Sequence, residues 1–312
     1  MRLAQHRRGE RTTLTSPTPT GYIDVSGAWR HGVAAVATAL RPIDSVDEFL
    51  ALPTAEVPAY RDAIREVCQA AQSGDWALPA DAAVLPVVSS PEKILCVGLN
   101  YSSHYEESLR VKPDLALPEA PVVFGKYRNA LLPHDATLPM PKSSTMLDFE
   151  AEVAVVIGRP GRGIPAERAH EHVAGWTLIN DLTLRDLQHR TTQWTLGKSF
   201  DGSAPLGPIL VTVDELPMES DIDISLTVNG EVLQQGRTSD LIFSVPEIIA
   251  YASQAMTLRP GDIIATGTPA GVGVARSPQR FLVPGDVVEV HSAQLGLLRT
   301  TIGGPSDAED DR

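Results

Sequence analysis

The chain has 312 residues with a formal net charge of −13 at pH 7, and 43% of its residues are hydrophobic. These values are typical of a folded globular protein, while the acidic excess argues against nucleic acid or an anionic membrane as a partner. Only two cysteines occur, without the spacing of a metal site or a disulfide framework. No apolar run reaches the roughly 18 residues of a membrane span, and the basic N-terminal segment lacks a signal-peptide core, so we expect a cytoplasmic protein.

Residues 1–90 are predicted to form a small N-terminal α/β domain. Short strands and turns are expected over residues 1–30, and apolar residues recur with helical spacing between residues 44 and 72. Asp44 or Ser45 could cap the first of these helical turns. No cluster of catalytic residue types occurs before residue 90, so we expect this part to serve packing or assembly.

Residues 91–304 are predicted to form one β-rich catalytic domain, followed at 305–312 by an acidic, disordered tail. An apolar strand (KILCVGLNY) opens the domain, and a short helix (SSHYEESLR) follows it. His104 and Glu107 are three positions apart and therefore share a face of this helix. A carboxylate bound to an imidazole raises its basicity and fixes its tautomer, as a general base requires. A solvated surface pair is the alternative interpretation.

Two predicted strands supply three carboxylates. On a strand from Phe149 to Ile157, Glu150 and Glu152 project from the same face. A second strand, over residues 175–180, ends at Asp181. Three carboxylates without sulfur or histidine suit Mg²⁺, Mn²⁺ or Ca²⁺ better than zinc or copper. The alternative is that the two glutamates line the solvated face of an edge strand and that Asp181 caps a helix.

Polar residues that could bind an anion follow these strands. Arg185 and Gln188 are three apart on a predicted helix, so they could reach one ligand together. Lys198 follows a glycine in an apolar segment, where nearby carboxylates would hold it charged and ready to stabilise an anion. A surface salt bridge is the alternative for Lys198. Lys126, at the end of a short strand (VVFGK), is predicted to face solvent, and a position facing a pocket is the alternative.

A strand near residue 263 leads into a loop rich in glycine and threonine, IATGTPAGVG. Backbone N–H groups around Gly267, together with the Thr268 hydroxyl, could bind a carboxylate or an oxyanion of a substrate. The loop lacks the lysine of a phosphate-binding loop, so we do not expect a nucleotide. A hairpin with an Asn-Gly turn over residues 222–236, an amphipathic helix that begins near Ser244, and two closing strands complete the predicted elements.

Seven separated segments between residues 91 and 303 resemble the fumarylacetoacetate hydrolase family, in the order of that family. They are VGLNYSSHYEE, DFEAEVAVVIG, GWTLINDLTLRDLQ, LGKSFDGSAPLGP, the VNGEVLQQG hairpin, IATGTPAGVG and PGDVVEV. The resemblance implies an α+β, β-rich fold with a mixed β-roll core, a short N-terminal domain and a homodimer. It also places a divalent metal, commonly Mg²⁺ with Mn²⁺ or Ca²⁺ as alternatives, on Glu150, Glu152 and Asp181.

The resemblance assigns further roles by position. The His–Glu dyad of the family falls on His104 and Glu107, in a lid segment that orders over bound substrate. The active-site lysine falls on Lys198, the substrate-contacting glutamine on Gln188 and the loop threonine on Thr268. We therefore predict an enzyme in which water activated by His104 cleaves a carbon–carbon bond of a β-diketo acid of the acylpyruvate type.

The same residues are compatible with other reactions. Decarboxylation of oxaloacetate and an isomerase or tautomerase reaction of a 2-hydroxy-dienedioate would use the same metal site, and the shared motifs do not separate these reactions from hydrolysis. A metal-binding protein without catalytic activity is the remaining alternative. The predicted partner is a small anionic diketo acid that serves as the substrate.

Overall fold

A computed structural model describes residues 1–34, 40–71, 76–79 and 81–305, and the acidic tail predicted beyond Pro305 lies outside them. The described residues form a β-rich α+β fold of mixed sheets with short helices, as the sequence predicts. No helix in these ranges is long and apolar enough to cross a membrane.

The strands of the described residues are, in chain order, β1 (Arg2–Arg8), β2 (Arg11–Thr18), β3 (Gly21–Asp24), β4 (Ala83–Val84), β5 (Ile94–Gly98), β6 (Val122–Lys126), β7 (Leu131–Leu132), β8 (Ala136–Met140), β9 (Leu147–Asp148), β10 (Ala151–Ile157), β11 (Val173–Asn180), β12 (Thr183–Leu184), β13 (Ala204–Thr212), β14 (Asp223–Val228), β15 (Glu231–Arg237), β16 (Ile263–Ala265), β17 (Val287–Ser292) and β18 (Gly296–Pro305). The α-helices are α1 (Val25–Arg30), α2 (Val46–Leu50), α3 (Val57–Ala71), α4 (Ser102–Val111), α5 (Arg185–Gln188), α6 (Thr195–Lys198) and α7 (Val245–Ala255). Short 3-10 helices cover Arg128–Ala130, Ala166–His172, Thr238–Asp240 and Gly273–Ala275.

One large sheet runs through both halves of the chain. Its strand order is β3-β2-β1-β13-β11-β10-β16-β5-β6, with β4 beside β1 and β7 beside β13. The N-terminal strand β1 pairs antiparallel with β13, where Leu3 lies opposite Leu210. A five-stranded sheet has the order β15-β14-β17-β18-β8, and β9 pairs with β12. Strands from residues 1–90 therefore extend the large sheet that also contains β10 and β11. The predicted domain boundary near residue 90 stays a prediction.

Strand β10 lies at the centre of the large sheet and is buried on both faces. Val153 and Val155 belong to a core that includes residues of the five-stranded sheet. Ala154 and Val156 belong to a second core that includes side chains of α1 and α3. Two buried faces explain why β10 reads as a nearly continuous apolar run after its glutamates.

Strand β10 begins two residues later than predicted. The N–H of Phe149 donates to the side chain of Asp148 at 2.8 Å, and the N–H of Glu150 donates to the side chain of Asn180 at 3.0 Å. Because side chains take these two backbone donors, the ladder with β11 starts at Ala151, opposite Asn180.

Local sequence patterns set several other boundaries. Asn229 and Gly230 both have positive φ, at 52° and 82°, which is the geometry of the tight turn expected between β14 and β15. Ser244 and Glu247 form a capping box at the start of α7. The predicted helical region at 44–72 divides into α2 and α3, and Ser45 rather than Asp44 caps α2, since its hydroxyl accepts from the N–H of Glu48.

Candidate active site

A cavity of about 500 Å³ opens at the end of the large sheet where β10 begins. Seven of the ten predicted site residues line it: His104, Glu150, Glu152, Arg185, Gln188, Lys198 and Thr268. The other three, Glu107, Asp181 and Gly267, each bond directly to one of those seven. The structure therefore brings all ten predicted residues into one site.

The three predicted metal ligands form a compact buried cluster. Glu150 lies just before β10 and Glu152 within it, while Asp181 follows β11, the neighbouring strand. The N–H of Asp181 donates to the Glu150 carbonyl oxygen at 2.8 Å, which holds the two strand ends together. One carboxylate oxygen from each residue lies within 4.8 Å of the others. The alternative of a solvated edge strand is wrong, because β10 lies between β11 and β16 and both glutamates are buried.

Two buried lysines neutralise part of this cluster. Lys198 Nζ donates to Glu150 Oε2 and to Asp181 Oδ2, both at 2.7 Å. Lys126 Nζ donates to Asp181 Oδ1 at 2.7 Å. The prediction that Lys126 faces solvent is wrong: only 3% of the residue is exposed, because Asp181 and two backbone carbonyls bind its ammonium group.

Arg185 connects the cluster to a buried aspartate that the sequence analysis did not identify. Its Nε donates to Asp148 Oδ2 at 2.7 Å, and its Nη1 donates to Gln188 Oε1 at 3.0 Å. Its Nη2 lies 2.7 Å from Glu150 Oε1 but is misaligned for a hydrogen bond. This guanidinium N–H therefore retains capacity to donate to an anionic ligand.

The surroundings of the two glutamates move their pKa values in opposite directions. Burial alone would raise the pKa of Glu150, but the charges of Lys198 and Arg185 outweigh it and hold that pKa well below its usual range. Burial raises the pKa of Glu152 well above 4.5, and the neighbouring Asp181 and Glu150 carboxylates raise it further. Burial would lower the pKa of Lys198, but Asp181 and Glu150 raise it, so this ammonium stays charged.

The donor set fits a divalent cation. The buried groups of this region are four carboxylates (Asp148, Glu150, Glu152 and Asp181) and three cations (Lys126, Arg185 and Lys198), which leaves one negative charge uncompensated when all four carboxylates are ionised. Of the cations in the described ranges, none forms an ion pair with Glu152, whose Oε2 accepts instead from the N–H of Gly267 at 2.8 Å. A buried cluster of carboxylate oxygens with residual negative charge is compatible with Mg²⁺, Mn²⁺ or Ca²⁺.

The His104–Glu107 pair forms as predicted on α4. His104 Nδ1 lies 3.1 Å from Glu107 Oε2, and Glu107 Oε1 accepts from the N–H of Gly271 at 2.9 Å. The two side chains are 13% and 12% exposed, so the alternative of a solvated surface pair is wrong. Glu107 thus fixes the imidazole ring and also attaches α4 to the glycine- and threonine-rich loop.

That loop supports the carboxylates as well as lining the cavity. Gly267 has a φ of 106°, and a Cβ there would lie 2.9 Å from Asn100 Cβ, so the loop requires glycine at this position. Thr268 Oγ1 accepts a hydrogen bond from Gln234 Nε2 at 2.8 Å, and Gln234 Oε1 accepts from the N–H of Ala151 at 2.9 Å. Since Thr268 accepts this bond, its own hydroxyl proton can be donated to a ligand.

Sequence reasoning missed Lys126, Asp148, Gln234 and the aromatic lining residues Phe124 and Trp194. A general signal for the missed cations was available, because several buried carboxylates require buried partners. No local pattern in the sequence identifies which lysine supplies the buried positive charge.

The chain was compared with known families, proteins and structures. A model described as fumarylacetoacetate (FAA) hydrolase C-terminal matches residues 93–303. The human mitochondrial oxaloacetate tautomerase FAHD2A is 42% identical over 217 residues, which are 69% of this chain and 67% of the human protein. The structure of a fumarylacetoacetate hydrolase from psychrophilic Exiguobacterium antarcticum has a TM-score of 0.76 and 29% identity, over 97% of this chain and 99% of that one.

A structure of 5-carboxymethyl-2-hydroxymuconate delta-isomerase from Mycobacterium smegmatis is also similar, with a TM-score of 0.72 and 28% identity over 98% of this chain and 100% of that one. These relatives carry the names of enzymes with different reactions on related acids. The family match covers the seven sequence motifs and every residue of the site described above. The chain belongs to the fumarylacetoacetate hydrolase family.

Proposed function

We propose that this protein catalyses the metal-dependent interconversion of the keto and enol forms of small 2-oxo acids, with oxaloacetate as the simplest substrate. One observation carries the proposal: an imidazole oriented by a carboxylate, His104, lines the same cavity as Glu150, Glu152 and the buried Lys198. A proton acceptor next to an anion-stabilising site is the minimum that enolisation requires.

The chain supplies both halves of that proton transfer. In the keto-to-enol direction His104 takes a proton from the carbon beside the keto group, while negative charge develops on the keto oxygen. Lys198 and Arg185, which both line the cavity, stabilise that charge. Return of the proton to the oxygen completes the exchange, in which one C–H bond breaks and one O–H bond forms.

Glu150, Glu152 and Asp181 would hold the divalent cation. When bound, the cation polarises the keto and carboxylate oxygens of a 2-oxo acid and so makes the adjacent C–H group more acidic. The side chains of Arg185, Gln188 and Thr268, which line the cavity, would bind the remaining oxygens of the acid. The name of the human relative, an oxaloacetate tautomerase, supports this choice of reaction over the others.

Hydrolysis of a carbon–carbon bond, the reaction predicted from the sequence, is the second candidate. The observation that favours it is the partial exposure of the His104–Glu107 pair, which leaves the imidazole accessible to water. In that reaction His104 would take its proton from water, and the hydroxide would attack the distal carbonyl of a β-diketo acid.

The test adds the enol form of oxaloacetate to the protein with Mg²⁺ or with EDTA and follows the ultraviolet absorbance of the enol. We expect faster loss of the enol with Mg²⁺ than with EDTA. His104→Asn should lower the enzymatic rate by about 10²–10⁴ without changing Mg²⁺ affinity. His170→Asn, at an exposed position outside the cavity, is the matched control and should leave the rate unchanged.

Two outcomes would contradict the proposal. Enol loss that is no faster with the Mg²⁺-loaded protein than with buffer would exclude the tautomerase activity. Full activity of the His104→Asn variant would exclude the proton-transfer role of this imidazole. Mass spectrometry after incubation with an acylpyruvate decides the second candidate, since hydrolysis releases two carboxylic acids.

A further inference from the structure

A large part of the cavity wall has no role in binding the 2-oxo acid group. Its apolar residues include Leu99, Leu115, Phe124, Trp194, Val272 and Val274, which we call the apolar wall. These side chains come from the end of β5, the segment after α4, β6, the residue before α6 and the loop after β16. Several separate elements therefore present hydrocarbon to the same cavity.

Two aromatic rings of the apolar wall lie close to the charged site. Lys198 Nζ lies 5.0 Å from the centre of the Phe124 ring. The Trp194 ring packs edge-on against Phe124, with 5.4 Å between ring centres and an angle of 72° between the ring planes. A hydrocarbon group bound against Phe124 would therefore begin within reach of an acid group held by Lys198.

The backbone of β5 leaves room for the Trp194 ring. A Cβ at Gly98 would lie 2.9 Å from Trp194 Cζ3, closer than side chains pack, so the indole occupies space that only glycine leaves open. The ring is thus supported on one side by the end of β5 and on another by Phe124. Such fixed aromatic rings provide a preformed surface for a flat ligand group.

The size and charge of the cavity indicate what this surface binds. A volume of about 500 Å³ is in the range that accommodates ligands much larger than a four-carbon diacid. Besides the charged cluster and His104, two basic residues line the cavity, Lys112 and His189. Lys112 is exposed. Burial, Arg185 and Lys198 lower the pKa of His189, which disfavours its cationic form. Among the described lining residues, the apolar wall therefore offers no buried counter-charge to a second carboxylate.

We infer that the apolar wall is a subsite for an aryl substituent on the 2-oxo acid, and that Trp194 and Phe124 determine this specificity. The inference rests on the proposed function, because it names the part of the substrate that lies beyond the 2-oxo acid group. Oxaloacetate would then occupy only part of the cavity.

The test measures binding rather than turnover. Benzoylformate and pyruvate share a 2-oxo acid group and differ in a phenyl or a methyl substituent, and benzoylformate has no proton that could be removed next to its keto group. Titration calorimetry with the Mg²⁺-loaded protein should give at least about tenfold tighter binding of benzoylformate. In Trp194→Ala the difference between the two ligands should shrink to within about threefold.

Leu196→Ala is the matched control, because Leu196 is 76% exposed and does not line the cavity. It should keep the preference of the wild-type protein. Equal affinity of the wild-type protein for the two ligands would overturn the inference without use of any variant. An unchanged preference in Trp194→Ala would overturn the role of this ring.

These results are separable from those of the enol assay. A phenyl preference without tautomerase activity would leave the subsite in place and remove the proposed reaction. Tautomerase activity on oxaloacetate without a phenyl preference would support the proposed reaction and exclude the subsite.

Discussion

The charged side and the apolar wall of the cavity are held in place by different means. On the charged side, hydrogen bonds of 2.7–3.0 Å hold the cations in place. Lys198 donates to Glu150 and Asp181, and Arg185 donates to Asp148 and Gln188. On the apolar wall, ring packing and close approach to backbone position the side chains, as for Trp194. The charged side therefore depends on ion pairs and hydrogen bonds, and the apolar wall depends on close packing.

The difference predicts how each region responds to substitution. Removal of one partner from a buried ion pair leaves an uncompensated charge and costs about 3–5 kcal/mol. Substitutions that preserve hydrocarbon volume in a packed region cost less than about 1.5 kcal/mol. The charged side should therefore fix the chemistry, whereas the apolar wall can change and alter the choice of substrate.

The largest effect is expected from Glu152→Gln. The substitution removes the triad carboxylate that has no cation partner in the described part of the chain, so the divalent cation loses an anionic ligand. Metal affinity should fall by more than about a hundredfold, since even changes to residues that merely support a ligand cost 10–100-fold. Titration with Mn²⁺ measures this affinity, and unchanged binding would show that the triad does not hold the metal.

The same variant tests the raised pKa of Glu152. Above pH of about 4.5 the unfolded chain loses this proton while the metal-free folded protein keeps it, so the native state binds more protons and stability falls as pH rises. Glu152→Gln should flatten this dependence and raise the free energy of unfolding at neutral pH. Denaturant titrations in EDTA between pH 5 and pH 8 measure it. A slope as steep in the variant as in the wild-type protein would contradict the prediction.

Lys126→Met tests the buried cations. It leaves the Asp181 carboxylate with one lysine instead of two, and we expect a loss of about 3–5 kcal/mol in the free energy of unfolding. Urea denaturation measures the loss, and added Mg²⁺ should recover part of it. The matched control is Arg237→Met, which breaks an ion pair to Asp221 on the surface and should change stability far less. Equal losses would show that burial does not matter here.

Glu107→Gln should have a smaller effect, confined to catalysis. The imidazole of His104 would keep its place but lose the anion that orients it, so kcat for enol loss should fall by up to about 10², less than on loss of the base itself. Glu106→Gln, at the exposed neighbouring position, serves as the control. A fall in Mg²⁺ affinity alongside the fall in kcat would mean that Glu107 supports the metal site instead.

The smallest effect is expected from Gly98→Ala, which affects only the apolar wall. The added Cβ would push the Trp194 ring from its place. Benzoylformate should bind a few-fold more weakly, while pyruvate should bind as before. Equal weakening of both ligands would show that the displacement reaches the charged side.

Prediction from sequence succeeded where partners are close along the chain or where a family motif supplied the residue. The turn at Asn229 and Gly230 and the pair of His104 and Glu107 involve residues at most three apart, and local patterns predict them. Lys126 was misplaced because its partner Asp181 is 55 positions away. No local pattern in VVFGK distinguishes a lysine at a strand end that is buried from one that is solvated.

The type of reaction also could not be predicted from the sequence. The residues that bind a metal and an oxo acid are needed for hydrolysis and for enolisation alike, so their presence does not choose between them. The predicted hydrolysis therefore stays a prediction. The apolar wall was not predicted from the sequence either, because its residues are scattered along the chain from Leu99 to Val274.

The pairing of β1 with β13 has a consequence for biosynthesis. Leu3 is synthesised well before its partner Leu210, which follows only after roughly 10–40 s at a rate of about 5–20 residues per second. During that time β1 can form its ladder with β2 and β4 can pair at His6 and Arg7, but the stretch at Arg2 and Leu3 that pairs with β13 has no native partner and is open to pairing with another chain. The nascent chain thus carries an unprotected stretch of sheet edge until β13 has been made.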